Sequence, residues 1–274
     1  MNSFNVWVNG ELVDASSPSV NASDHGFLLG DGVFDTLVVR HRRPVFIDRH
    51  LRRLRRGIER LQLNMPLTDL EFVDAISQLI DANELTDARV RITVTPGAGS
   101  SPRDRGPTPL VAITTAPLQP SPESVSLCTV TWTRNEHSPL AGMKSTSWGD
   151  NAVILRHAHE RGFDNAILCD TSGRLSECTT SNLFLVVDDQ LLTPSLESGC
   201  LPGIIREVLI EANVATESVL TPADLERATE VFVTSSTTGV MPVHRVDDHP
   251  HRIDGSHTAN ARAVIDRFSA LDAT

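Results

Sequence analysis

The sequence predicts two α+β domains, and three observations carry that reading. Short β-branched runs and amphipathic helical stretches alternate in mixed order, with no repeat period. The stretch "APLQPSPES", Ala116 to Ser124, is rich in proline with little to bury, so it reads as a linker. Residues 1–115 and 125–274 on either side are each long enough for a core of their own.

The elements follow in order. "NVWVNGELV" alternates around Asn9-Gly10, a strong hairpin signal. "GDGVFDTLVVR" reads as a glycine turn entering a β-branched strand. "DRHLRRLRRGIERLQL" sets Leu51, Leu54, Ile58 and Leu61 at helical spacing, with arginines on the other faces. "LTDLEFVDAISQLIDANEL" is a second amphipathic helix, started by Thr68 or Asp69. "ARVRITVTP" and "PLVAITTAP" read as paired strands joined by the loop "GAGSSPRDRGPT". Beyond the linker, "VSLCTVTW", "NAILCD", "SNLFLVV", "EVFVTSS" and "VMPVHRV" read as strands. Helices are predicted near Trp148 to Arg161, from "PGIIREVLIEAN", and at "HTANARAVIDRFSAL".

Composition narrows the function. With 40% hydrophobic and 22% charged residues the chain is an ordinary globular one, and its net charge of -11 argues against a general nucleic-acid or anionic-membrane binder. No apolar run is long enough to cross a bilayer and the start lacks a signal-peptide pattern, which points to the cytoplasm. Cys128, Cys169, Cys178 and Cys200 are scattered without C-x-x-C spacing, so buried free thiols are expected and no metal site. His157 and His159, two apart on a helix, face different ways.

Lys144, in "LAGMKSTSWGDNAV", is the sole lysine among 24 cationic side chains. A guanidinium stays protonated and cannot form an imine, whereas an amine can, so Lys144 is the candidate Schiff-base residue. A pyridoxal phosphate held there needs an acid at its pyridine nitrogen, donors for its phosphate and cations for a substrate carboxylate. Glu177 in "GRLSECTTSNLFLVV" is either that inward acid or an exposed turn acid. Gly203, Ile204 and Ile205 open a helix whose amides could hold phosphate. Ser235, Ser236, Thr237 and Thr238 end an apolar strand and form a second hydroxyl-rich cradle, or simply a turn. Arg52, Arg53, Arg55 and Arg56 grip a phosphate or solvate a helix face; Arg103 and Arg105 are a loop pair able to hold a carboxylate.

Together, "DHGFLLGDGVFDTL", "HLRRL", "MKSTSW", "LSECTTSNLFLV", "PGIIRE" and "FVTSSTTGVMPV" closely resemble the fold-type IV, or class IV, pyridoxal-phosphate enzymes: branched-chain aminotransferases, D-amino acid transaminases and aminodeoxychorismate lyases. The resemblance implies a two-domain fold with pyridoxal 5′-phosphate in the interdomain cleft. It further implies that Lys144 forms the internal aldimine and shuttles the proton, that Glu177 pairs with the pyridine nitrogen, and that Arg53 of "H-x-x-R-L", Ile204, Ile205 and Ser236 bind the phosphate. Thr237, Phe34, Arg103 and Arg105 fall near the substrate, and the Arg103 loop implies a homodimer acting on small amino and keto acids.

This chain departs from the family pattern at two sites. Phe34 stands where many of the transaminases have tyrosine, and the chain has no tyrosine at all. Phosphate-site "G-I-T" becomes Gly203-Ile204-Ile205, keeping the amides and losing a hydroxyl. The expected activity is transamination. The runner-up is aminodeoxychorismate lyase, favoured by Phe34, disfavoured by "STSW", with Thr36 assisting proton transfer. From other classes come a regulator binding nucleic acid through the Arg-rich helix and a cofactor-free Schiff-base aldolase.

Overall fold

The computed structural model describes residues 4–17, 20–64, 67–101 and 103–272. The chain divides into two compact units, Met1–Gln119 with Lys144–Trp148, and Pro120–Met143 with Gly149–Asp272. Residues 118–124 carry neither helix nor strand. Lys144–Trp148, expected with residues 125–274, instead pack with the first unit.

In the first unit the strands are β1 (Asn5–Val8), β2 (Glu11–Asp14), β3 (Val33–Arg40), β4 (Arg43–Pro44), β5 (Ala88–Thr95) and β6 (Leu110–Pro117), ordered β2-β1-β6-β5-β3-β4 and antiparallel throughout. Asn9 and Gly10 both take positive φ, as the two-residue β1–β2 turn requires. The helices are α1 (His25–Leu29), α2 (Ile47–Arg60) and α3 (Asp69–Ala82). Thr68 caps α3 in a reciprocal pair with Glu71. Leu51, Leu54 and Ile58 of α2 and Phe72, Ile76 and Leu79 of α3 are buried, as are Leu37, Val90, Ile92 and Ile113 of the sheet.

Alternation along β3 decides what the sheet displays. Asp35 turns toward α2, where it meets His50 and Arg53. Phe34 and Thr36 point to the opposite face, across from Thr93 and Arg91 of β5.

The second unit holds β7 (Val125–Arg134), β8 (Asn165–Asp170), β9 (Leu175–Cys178), β10 (Asn182–Val187), β11 (Gln190–Pro194), β12 (Thr216–Ser218), β13 (Glu230–Ser235), β14 (Gly239–Val246) and β15 (His249–Pro250). Their order is β12-β11-β10-β13-β14-β7-β8-β9, with β15 on β14, in a mixed sheet. Its helices are α4 (Gly149–Glu160), α5 (Ile204–Glu211), α6 (Pro222–Arg227) and α7 (Ser256–Asp272). Leu127, Leu183, Leu185, Val231, Val233 and Val243 share one apolar cluster, and Ile154, Ala158, Phe163 and Leu168 form another at α4.

All four cysteines are free thiols, and burial pushes that of Cys200 up to about 11. Among the described residues no group of His, Cys, Asp or Glu could hold a metal ion. No described helix is long and apolar enough to cross a membrane.

Candidate active site

In the first unit, residues 144–148 run alongside the start of β3. Phe34 N–H donates to Lys144 O at 2.9 Å and Thr146 N–H donates to Gly32 O at 2.8 Å, with Val33 and Ser145 bridged antiparallel. The glycines of "GDG" permit this approach. Gly30 ends α1 at φ 67°, and a Cβ on it would lie 2.4 Å from Ser147 Oγ. Lys144 Nζ lies 4.3 Å from the centroid of the Phe34 ring and 4.8 Å from that of Trp148. The two rings meet edge to face at 5.4 Å. Thr146 Oγ1 is buried without a hydrogen-bond partner among the described residues.

Arg91 shares this face. Its guanidinium sits 3.7 Å from the Phe34 ring centroid, and its Nε donates to Thr93 Oγ1 at 3.2 Å. Burial, then the charge of Arg89, lowers its pKa. Nothing in the sequence pattern singled out Arg91; only strand register sets it across from Thr36 and beside Phe34.

Behind Phe34 lies a buried charge cluster. Asp35 is fully buried, and it accepts from Arg53 Nε at 2.9 Å, Arg53 Nη2 at 2.7 Å and its neighbour Thr36 N–H at 2.7 Å. His50 Nδ1 is 2.7 Å from Asp35 Oδ1; a carboxylate can only accept, so Nδ1 carries the proton. Burial alone would raise the pKa of Asp35, but the charges of Arg53 and His50 outweigh it and hold the carboxyl well below the usual range. His50 moves down as well, chiefly through burial, with Arg53 and Lys144 adding to the effect. Of the α2 arginines, Arg52 and Arg56 are exposed, while the side chain of Arg53 is only 9% exposed. Helical spacing alone did not distinguish it, because the partner that draws it inward is on β3.

The loop arginines differ from each other. Arg103 is exposed. Arg105 is held by Asp31 through Nε at 2.8 Å and Nη2 at 2.7 Å, and it donates to Leu61 O at 2.6 Å. Its guanidinium therefore ties the loop to the GDG turn.

In the second unit, Glu177 resolves the choice left by its sequence position. It lies within β9, opposite Leu168, and is 7% exposed. Its Oε2 accepts from Leu201 N–H at 3.0 Å, and Arg134 Nε stands 3.2 Å from Oε1. Gly203 is the N-cap of α5 and supplies no capping side chain; a Cβ there would fall 1.9 Å from Asn182 Oδ1. Ile204 and Ile205 occupy the first turn, where helix amides lack intrahelical partners. Ser236 and Thr237 lie in the turn between β13 and β14, both half-buried, and Ser235 Oγ is 3.1 Å from Thr237 Oγ1.

The sequence profile described as amino-transferase class IV matches residues 32–246, which span every element above except β1, β2, α1, β15 and α7. The chain belongs to that family. Its class IV relatives include a Methanocaldococcus jannaschii protein provisionally named a branched-chain-amino-acid aminotransferase, 31% identical over 88% of each chain. Another is the aminodeoxychorismate lyase of Bacillus subtilis, 26% identical over 95% of this chain and 92% of that one. Among solved structures, the branched-chain aminotransferase of Thermoproteus uzoniensis with norvaline superposes at a TM-score of 0.90, with 26% identity over 97% of this chain and 94% of that one. The class IV resemblance, the α+β fold and the enzymatic reading drawn from the sequence all stand, and the family points to pyridoxal phosphate.

Proposed function

We propose that this class IV chain is a transaminase that moves an amino group between an amino acid and a 2-keto acid, with pyridoxal 5′-phosphate as its cofactor. The observation that carries the proposal is Lys144, the sole lysine, lying within the matched region with its amine against two aromatic rings. The donor set fits the cofactor. Lys144 supplies a primary amine, Glu177 a buried carboxylate acceptor for a protonated ring nitrogen, and Arg53 a cation for the phosphate. The amides of Ile204 and Ile205 open a helix with no side-chain cap, where an anion is stabilised, and Ser236 adds a hydroxyl.

When bound, the cofactor supplies the electron sink that makes the Cα–H bond of an amino acid acidic. Lys144 Nζ would be the base that takes up that proton and gives it back. Asp35 fixes the plane of Arg53 through two hydrogen bonds. We assign substrate carboxylates to Arg103, Thr237 and Arg91, and a wall of the substrate pocket to Phe34. Arg105 we assign to holding the Arg103 loop. The proposal includes a homodimer, supported by the apolar row Phe27, Leu28 and Leu29 of α1, which is 72%, 55% and 50% exposed, and work in the cytoplasm.

The test is a visible absorption spectrum, borohydride reduction and peptide mapping. A coloured protein whose reduced adduct maps to Lys144, and which transfers an amino group stoichiometrically, bears the proposal out; a colourless protein that takes up no added pyridoxal phosphate sinks it. Phe34, which brings no hydroxyl to this face, favours a second reading as an aminodeoxychorismate lyase. Pyruvate released without any amino acceptor would select that reading.

A further inference from the structure

Trp148 has no part in the proposed chemistry above, yet its ring is one of two against the reactive amine. Its backbone N–H donates to Thr146 O at 2.8 Å, a tight local turn that fixes where the side chain starts. Phe34, edge to face with it, is fixed in turn by β3 and by its own N–H bond to Lys144 O. An ammonium within about 6 Å of an aromatic centroid is attracted by the negative ring face, and indole is the strongest of the natural rings. Both distances here are well inside that limit.

We propose that Trp148 is a positioning residue that, together with Phe34, defines the resting place of the Lys144 ammonium whenever the amine carries no covalent partner. The proposal rests on Lys144 being the reactive amine. Two rings against the amine narrow the rotamers open to its four-carbon chain. The rings also favour the charged form, so they set the pH at which the amine becomes a base. Charged neighbours among the described residues of the same unit include His50 on α2, whose own ionisation Lys144 disfavours, Arg91 on β5 at the same Phe34 ring, and the Asp35–Arg53 pair behind His50. These groups are left intact when only Trp148 is changed.

A single lysine makes the test direct. Full-length protein, treated with hydroxylamine to remove any bound cofactor, is reductively methylated with carbon-13 formaldehyde. Lys144 then gives the one dimethyl-lysine resonance in the spectrum, and its chemical shift is followed against pH. Trp148→Leu and Trp148→Gln both remove the ring, while Trp148→Phe keeps one. The expected result is a midpoint lower by about half to one pH unit in the Leu and Gln variants, with the Phe variant close to wild type. No change in either ring-deleted variant, or an equal change in all three, overturns the proposal. So does failure of both ring-deleted variants to fold, judged by circular dichroism, since Trp148 would then serve the core. The titration reads the same whether or not the protein binds pyridoxal phosphate, so absence of colour with a ring-dependent midpoint would fault only the proposed function.

Discussion

Replacing Asp35 with Asn isolates the buried ion pair behind Phe34. The carboxylate receives four hydrogen bonds, from Arg53 Nε, Arg53 Nη2, His50 Nδ1 and Thr36 N–H. An amide keeps one acceptor oxygen and turns a donor toward groups that are themselves donors. It also removes the carboxylate charge paired with Arg53, whose side chain is 9% exposed. Removing one partner of a buried pair costs about 3–5 kcal/mol, most of it the penalty of the charge left behind. At about 2–4 °C per kcal/mol for a chain of this size, the melting temperature should fall by roughly 6–20 °C.

The pH dependence gives a sharper check. The folded-state pKa of Asp35 lies below its unfolded value, so its contribution is fully present above the unfolded pKa and is lost as pH falls toward the folded one. Denaturant unfolding of wild type and Asp35→Asn should therefore show a wide gap at pH 7 that narrows as pH drops below about 4. A variant within about 0.5 kcal/mol of wild type at pH 7, or a gap that does not change with pH, would refute the reasoning.

Three further outcomes are expected. Lys144→Arg keeps a positive charge and loses the amine, so borohydride should add no mass at that position and amino transfer should drop to background. Arg91→Leu should raise the KM for a carboxylate substrate by about 10- to 100-fold, the value of a hydrogen bond to a charged group, with kcat less affected; an unchanged KM would remove Arg91 from substrate binding. Gly203→Ala drives a methyl group against Asn182 Oδ1 at the start of α5, costing about 1–3 kcal/mol, and should weaken pyridoxal phosphate uptake in an absorbance titration; normal stability and uptake would show that the helix start relaxes freely.

The sequence by itself determined most of the elements. The Asn9-Gly10 hairpin, the α2 stripe of Leu51, Leu54 and Ile58, and the Thr68 cap of α3 are local signals: turn chemistry, period and capping are set within a few residues. α1 and β9 were not legible, because five or four residues are too few to show a period and tertiary packing decides them. The lone Lys144 was legible as chemistry, since imine formation belongs to the amine itself. What surrounds it was not. Phe34 lies 110 positions before Lys144 and comes beside it through one β-bridge, and Arg91 reaches that ring only through the register of β5 on β3. Glu177 could have been a solvated turn acid until the β8–β9 pairing buried it, and Arg53 matched its neighbours on α2 until Asp35, on another element, supplied the charge that holds it inward. Residue type and spacing are written locally, whereas burial and pairing depend on which distant segment the chain brings alongside, and that is decided only in the folded molecule.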